Sequence, residues 1–178
     1  MNRSSLTVGS IASMSDDDLL TALFDEVGMW MSAALHDELD EFVRVGREAP
    51  TGIWAMAMTY QLDVSMALDD LGWHFANWCH RGYCEETGRA LKELEAGELS
   101  DIFARAYSIV GHQWDQVVKL RSNSFGEFAD WYNDSELEAT LNPLNQRWWE
   151  LCSSQNNGLF RYWLLYARKY PEHVVSDA

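Results

Sequence analysis

The chain has 178 residues, of which 47% are hydrophobic and 13% aromatic, so it can bury one sizeable core and is not a disordered acidic tail. It carries 28 acidic residues against 13 Lys and Arg, a formal net charge of −15 at pH 7. This charge repels nucleic acid and anionic membranes and attracts basic proteins. The composition therefore argues against direct binding to nucleic acid or membrane and favours a basic partner.

Apolar positions recur at helical spacing along almost the whole chain, and alternating strand patterns are hard to find. The sequence predicts an all-α protein, a single compact orthogonal multi-helix domain of about seven to nine helices. Residues 1–14 are expected to form a flexible N-terminal segment, and residues 15–178 the helical domain. No internal repeat and no long linker divides that domain.

The first predicted helix begins after Ser15, a favourable N-cap residue. Three aspartates, at residues 16–18, fall in its first turn, where the helix dipole favours negative charge. Apolar positions continue at helical spacing as far as Phe42, and Gly28 is a point where the run could divide into two helices. Residues 47–52, "REAPTG", form the first predicted loop.

The remaining helices are predicted from residues that break helices and from residues that cap them. Residues 53–80 are predicted to be helical with a break near Gly72, and the next helix to end with Gly97 at its C′ position. One helix is predicted over residues 98–120. Two more begin at S-x-x-E capping boxes, at Ser124 and Ser135, and the last helix ends before Pro171.

The acidic stretch 16–43 holds nine carboxylates, and no Lys or Arg occurs from residue 4 to residue 43. If this stretch formed one helix, a rotation of about 100° per residue would place five carboxylates within an arc of roughly 120°, opposite the apolar positions. Neighbours along that face would lie about 10 Å apart, comparable to phosphate spacings in a duplex. The five predicted partner-binding residues are Asp18, Asp25, Glu26, Asp37 and Asp40.

A charged run on an amphipathic helix is often only its solvated face, and the dipole accounts for the three aspartates at the helix start. Neither reason explains why basic residues are missing from this stretch, because ordinary surfaces mix both signs of charge. Since uncompensated charge costs stability through self-repulsion, a neutralising partner is a reasonable hypothesis beside the solvated face. Further acids cluster in residues 85–101 and 127–138, whereas the C-terminal part is mildly basic through Arg147, Arg161, Arg168 and Lys169.

The sequence has one cluster that resembles a metal site, formed by His74, Cys79, His80 and Cys84. Zinc sites usually combine two closely spaced ligand pairs, and the spacing H-x4-C-H-x3-C does not follow that pattern. We therefore predict no metal and no cofactor, but two core cysteines and partly exposed histidines. No phosphate-binding loop, nucleophile elbow or metalloprotease motif occurs, so no catalytic residue is predicted.

The three cysteines, Cys79, Cys84 and Cys152, are an odd number and do not indicate a disulfide framework. The N-terminal "MNRSSLTVGSIASM" lacks the apolar region of a signal peptide. No apolar run approaches the ~18 residues that a membrane span needs. These features predict a cytoplasmic protein.

Two further stretches share a pattern of aromatic helices. One is "LDDLGWHFANWCHRGYCEETGRALKELEAGELSDIFARAYSIV", and the other is "LNPLNQRWWELCSSQNNGLFRYWLLYARKYPEHVV", which closes on a Tyr-x-x-x-x-Pro step. Together, within residues 68–175, they resemble the C-terminal domain of the acidic DNA-mimic proteins first known from Neisseria. That domain also occurs in many bacterial proteins of unknown function.

The resemblance implies an all-α fold, no catalysis and a homodimer as one assembly. It also implies an acidic surface that imitates DNA and occupies a transcription factor, as in the best-known member of the family. Contact residues cannot be transferred from the family, because the acidic stretch 16–43 lies outside the region of resemblance.

Three hypotheses follow. The first is a non-enzymatic acidic protein that binds the basic surface of a DNA-binding protein. The second is an immunity-type inhibitor that neutralises a basic toxin such as a nuclease, for which acidity would serve equally well. The third, from a different class, is a small enzyme or metal protein that uses His74, Cys79, His80 and Cys84.

Overall fold

The computed structural model describes residues 6–31, 39–153 and 157–175. These ranges contain eleven α-helices and no strand, so the all-α prediction is confirmed, but the predicted number of seven to nine helices is wrong. The helices are α1 (Val8–Ser13), α2 (Asp16–Met31), α3 (Leu39–Gly46), α4 (Thr51–Leu68), α5 (Leu71–Asn77), α6 (Arg81–Glu93), α7 (Glu98–Gly111), α8 (Trp114–Asn123), α9 (Phe125–Tyr132), α10 (Glu136–Ser153) and α11 (Phe160–Lys169). A single 3-10 turn, Pro171–His173, follows α11.

Helix α1 is one of the helices that the sequence did not indicate, and it lies within residues 1–14. Thr7 and Ser10 cap it reciprocally, each side chain accepting the backbone N–H of the other. Ile11 is buried, and its carbonyl oxygen accepts a hydrogen bond of 2.9 Å from Arg168 of α11. The division of the chain at residue 15 stays a prediction.

A second additional helix arises because the predicted helix 98–120 divides into α7 and α8. The backbone N–H groups of His112 and Gln113 bond carbonyls three residues back, which tightens the chain into a turn after Gly111. Trp114 then starts α8 with its ring buried and edge-on against Tyr107, at a centroid distance of 5.9 Å. The break thus places a large aromatic side chain in the core.

Helix α6 ends differently from the sequence prediction. Glu95, not Gly97, occupies the C′ position with a φ of 53°. The N–H of Glu95 bonds the carbonyl of Lys92, and the N–H of Ala96 bonds that of Leu91, the pair of bonds that defines a Schellman motif. Gly97, also at a φ of 53°, precedes the first residue of α7, so it redirects the chain into the next helix.

The break between α4 and α5 lies at Asp69 and Asp70, just before the predicted position at Gly72. The Asp70 carboxylate caps α5 by accepting the N–H of Trp73, and it also accepts the hydroxyl of Tyr132 at 3.0 Å. Gly72 allows this approach, because a Cβ atom there would lie 2.2 Å from the Tyr132 Oη atom. The glycine is therefore required by packing between α5 and α9.

Helix α4 is the central element, and two groups of buried side chains meet along it. Residues 53–58 of α4 pack with α2, α3 and α11 in the first core, whereas Leu62 and Met66 belong to the second core with α5, α7, α9 and α10. Two buried hydroxyl groups of α6 bond the backbone of α4. The hydroxyls of Tyr83 and Thr87 in α6 both donate to the carbonyl of Met58.

Candidate partner-binding surfaces

Helix α2 begins as the sequence predicted. The Ser15 hydroxyl accepts the N–H of Asp18 at 3.2 Å, and the aspartates at residues 16–18 occupy the first turn. Asp18 and Asp25 are both exposed. Being seven residues apart, they lie on one side of the helix, about 10 Å from each other along its axis. Two of the five predicted residues therefore share an exposed surface.

Glu26 is a correction to the predicted acidic surface. Its side chain is only 1% exposed, and its Oε1 atom has no hydrogen-bond partner. The reason is that α2 packs against α3, α4 and α11 at once. The buried side of α2 is therefore wider than its row of apolar residues and includes Glu26. Glu26 cannot contact a partner in this conformation, although the adjacent Asp25 can.

Asp40 lies on a different helix from Asp18 and Asp25. Cα atoms of α2 and α3 approach within 8 Å. In one continuous helix the nearest ends of these two elements, Met31 and Leu39, would be about 12 Å apart. The assumption of a single helix over residues 16–43 is therefore wrong. Asp40 is exposed, and its Oδ1 atom lies 3.0 Å from Nε2 of His80. Asp37 lies outside the described residues.

Some of the N-terminal negative charge is compensated by residues that are distant in sequence or by near neighbours. Asp16 forms an ion pair of 2.6 Å with Arg168, and Arg44 pairs with Glu41 and Glu48. Within the described ranges, no ion pair involves Asp17, Asp18 or Asp25. We call these three exposed carboxylates the acidic face.

A second acidic region surrounds α9 and the start of α10, within residues 122–146, which contain no Lys or Arg. Four of its five carboxylates are exposed, and none of the five has an ion pair in the part of the chain that the structure describes. We call this group the acidic rim: Glu127, Asp130, Asp134, Glu136 and Glu138. The sequence shows this cluster, but the predicted binding residues all come from the acidic stretch 16–43.

The acidic rim rests on a well-packed base. Phe128 and Tyr132 anchor α9 in the second core, with their rings stacked at a centroid distance of 5.3 Å. Ser124 and Ser135 cap α9 and α10 by accepting the N–H groups of Glu127 and Glu138, as predicted. The carboxylate of Glu138 also accepts the N–H of Asp134 at 2.6 Å. The backbone that carries these charges is therefore fixed.

The charge of the rim affects its neighbourhood. Burial raises the pKa of Asp70, and the nearby Glu138 carboxylate adds to that rise. Burial also raises the pKa of Tyr132, with the Asp70 carboxylate as a further cause. No Lys or Arg is among the main causes of either shift, which is consistent with a region of uncompensated negative charge.

Basic side chains of the C-terminal part are engaged with acids elsewhere. Arg147 pairs with Glu98 at 2.7 Å, and Lys169 pairs with Glu95 at 2.7 Å. Arg168 pairs with Asp16, whereas Arg121 lies over the ring of Phe125 in α9, next to the rim. Three of the four basic residues that the sequence shows in the C-terminal part, Arg147, Arg168 and Lys169, are therefore paired with acids outside the rim.

Three of the four residues of the metal-like cluster have structural roles, and the fourth, Cys79, is half-buried near Cys84. His74 is buried, and its Nδ1 atom lies 3.0 Å from the hydroxyl of Ser65. Burial lowers the pKa of His74 to about 3, so the ring is neutral near pH 7. His80 caps α6 by accepting the N–H of Tyr83, and buried Cys84 donates to the carbonyl of Trp78. Among the described residues, no three such side chains are grouped to hold a metal ion.

No helix in the described ranges combines the length and the apolar character needed to cross a bilayer. A family model described as DMP19-like protein matches residues 47–169, more than two thirds of the chain. The matched range includes the whole acidic rim and excludes the acidic face. Comparison with curated proteins and with solved structures gave no match.

Proposed function

Because the chain belongs to the DMP19-like protein family, a family of DNA mimics, we propose that it binds the basic surface of a DNA-binding protein in place of DNA. It acts by binding, without catalysis, and in the cytoplasm, where such partners work. The family match agrees with the resemblance that the sequence shows in residues 68–175. The observation that carries the proposal is the acidic rim, a set of unpaired carboxylates on a fixed backbone inside the family-matched range.

Electrostatics supports a basic partner. A net charge of −15 on a compact helical body attracts cationic surfaces over distances of about a Debye length, roughly 10 Å at moderate salt. Duplex DNA presents its phosphates on a stiff scaffold. In a comparable manner, the carboxylates of α9 and α10 project from a backbone that is held by helix caps and buried aromatic rings. Little backbone entropy is therefore lost on docking.

We assign the larger share of partner binding to the acidic rim and a smaller share to the acidic face. Asp18, Asp25 and Asp40 remain candidate contacts, while Glu26 is too deeply buried to contribute. Asp40 is the weakest candidate of the three, since His80 already lies beside it. Whether the molecule pairs with a second copy of itself stays a prediction, and the assignment does not require it.

The test is capture by the immobilised full chain from a lysate of its native host, with identification of bound proteins by mass spectrometry. We expect a DNA-binding protein that duplex DNA releases from the column and that raised salt releases as well. An uncharged polymer at the same mass concentration should release nothing. A captured protein that DNA cannot displace would contradict the proposal, and a captured nuclease toxin would favour the immunity hypothesis instead.

A further inference from the structure

An apolar cavity of about 640 Å³ lies between α2 and α4, apart from the acidic rim. Its volume falls within the range of about 300–1,000 Å³ that is typical of small-molecule sites. The side chains that matter most for its character are Phe24, Val27, Met31, Tyr60, Val64 and Phe160. Most of the cavity wall is thus hydrocarbon, and any ligand must have a sizeable apolar part.

Three aromatic rings from three different helices form one side of this cavity. Phe24 and Phe160 meet edge to face at a centroid distance of 4.9 Å, and Phe24 meets Tyr60 in the same way at 6.1 Å. Tyr60 and Phe160 are stacked at 6.3 Å. Aromatic faces attract cations through their negative quadrupole, in addition to their apolar contacts.

Among the residues that the structure describes, one charged group lines the cavity, the carboxylate of Asp63. It also lines an adjoining cavity of about 500 Å³, where Ala67 and Phe160 are again part of the wall. Its Oδ1 atom accepts the N–H of Leu159 at 3.2 Å. Within the described residues, no Lys, Arg or His forms an ion pair with Asp63.

A half-buried carboxylate without a cationic partner is costly, because burial removes water that would stabilise the charge. Burial correspondingly raises the pKa of Asp63. A bound cation would offset that cost, and the same cavity would exclude anions, which both the carboxylate and the net charge of −15 repel. Charge complementarity therefore favours a cationic ligand in this cavity.

We propose that this cavity binds an organic monocation, with its apolar body against the aromatic wall and its ammonium group beside Asp63. The site is separate from the acidic rim, and binding there does not depend on the proposed function. Both cavities reach the same carboxylate, so a ligand longer than one cavity can extend into the other without losing the charge contact.

The experiment compares three probes with the same apolar body: phenylbutylammonium, phenylbutanol and phenylbutanoate. Their dissociation constants for the full chain are measured by calorimetry. We expect the ammonium to bind at least about tenfold more tightly than the alcohol, a ratio typical of one charge-assisted contact, and the carboxylate to bind worst. Equal binding of ammonium and alcohol, or binding of neither, would overturn the proposal.

Two variants locate the site. Asp63→Asn removes the charge, while the amide oxygen can still accept the N–H of Leu159, so the fold is retained. Asp69→Asn removes one charge from an exposed position just after α4 and is the matched control. The advantage of the ammonium over the alcohol should disappear in Asp63→Asn and persist in Asp69→Asn. An equal loss in both variants would show a general charge effect and reject the assigned site.

Discussion

The acidic face and the acidic rim have a similar appearance in the sequence and differ in their surroundings. Both lie in stretches without Lys or Arg, residues 4–43 and 122–146. Near the acidic face, Arg168 approaches from 152 residues further along the chain and pairs with Asp16, and His80 lies beside Asp40. The rim has no ion pair among the described residues. A run of like charges in the sequence is therefore an uncompensated surface only where no basic residue from another part of the chain pairs with it.

The two regions also differ in what lies beneath them. Glu26 of α2 turns into the first core, so part of the N-terminal charge is lost from the surface. Under the rim, Phe128 and Tyr132 fill the second core and the carboxylates stay outside. Only the rim lies within the family-matched range 47–169. These differences are the reason why we assign the larger share of partner binding to the rim and a smaller share to the acidic face.

The largest expected effect is on partner capture. We compare a rim-neutral variant (Glu127→Gln, Asp130→Asn, Glu136→Gln) with a face-neutral variant (Asp17→Asn, Asp18→Asn, Asp25→Asn). Each loses three negative charges, so their net charges are equal and long-range attraction falls alike in both. The rim-neutral variant should bind the captured DNA-binding protein at least about tenfold more weakly, and the face-neutral variant only a few-fold more weakly.

Calorimetric titration of each variant with the purified partner measures the difference, and circular dichroism checks that both remain helical. A greater loss in the face-neutral variant would reverse our assignment and restore the acidic face as the main docking surface. Equal losses would show that only the total charge matters.

The next effect concerns the base of the rim. Gly72→Ala should destabilise the protein by about 3 kcal/mol, because the new Cβ would lie 2.2 Å from Oη of Tyr132 and force that ring out of place. Urea unfolding measures the change. Gly28→Ala is the control from α2, where nothing lies within 4 Å of the new atom, and it should stabilise by about 0.5–1 kcal/mol. Equal stabilities of the two variants would contradict the close packing of α5 on α9.

Much of the fold could be predicted from the sequence, since helical periodicity and local caps are local signals. The starts of α2, α9 and α10 at Ser15, Ser124 and Ser135 are examples. The separation of α2 from α3 and the burial of Glu26 depend on packing between elements, which periodicity does not encode. The cavity beside Asp63 could not be predicted, because its aromatic wall comes from three helices distant in sequence.

A smaller effect separates the two neighbours Asp25 and Glu26. Glu26→Met should stabilise the protein by about 1 kcal/mol, because it removes a buried acceptor that has no partner and keeps the side-chain length. Partner capture should be unchanged. Asp25→Asn removes the same charge from the exposed side and should weaken capture without changing stability. If Glu26→Met weakened capture as much as Asp25→Asn, the buried carboxylate would have to become exposed in the complex.

The smallest effect is a pH dependence of stability through Asp70, which lies near the rim residue Glu138. Because the pKa of Asp70 is raised in the folded state, the folded protein holds its proton more tightly than the unfolded chain. The charged carboxylate therefore costs stability near pH 7, and that cost disappears as the pH falls through the raised folded pKa toward the ordinary value for Asp, about 4. Asp70→Asn keeps one oxygen that can accept from Trp73 and Tyr132 but has no charge to bury.

The variant should accordingly be slightly more stable than the parent chain at pH 7, and the difference should vanish near pH 4 in urea unfolding. Replacing Glu138 by Gln removes the rim charge that adds to the rise, so it should reduce the pH dependence without abolishing it, since burial remains the main cause. An undiminished dependence would mean that the Glu138 carboxylate does not act on Asp70, so that burial alone would account for the raised pKa of Asp70.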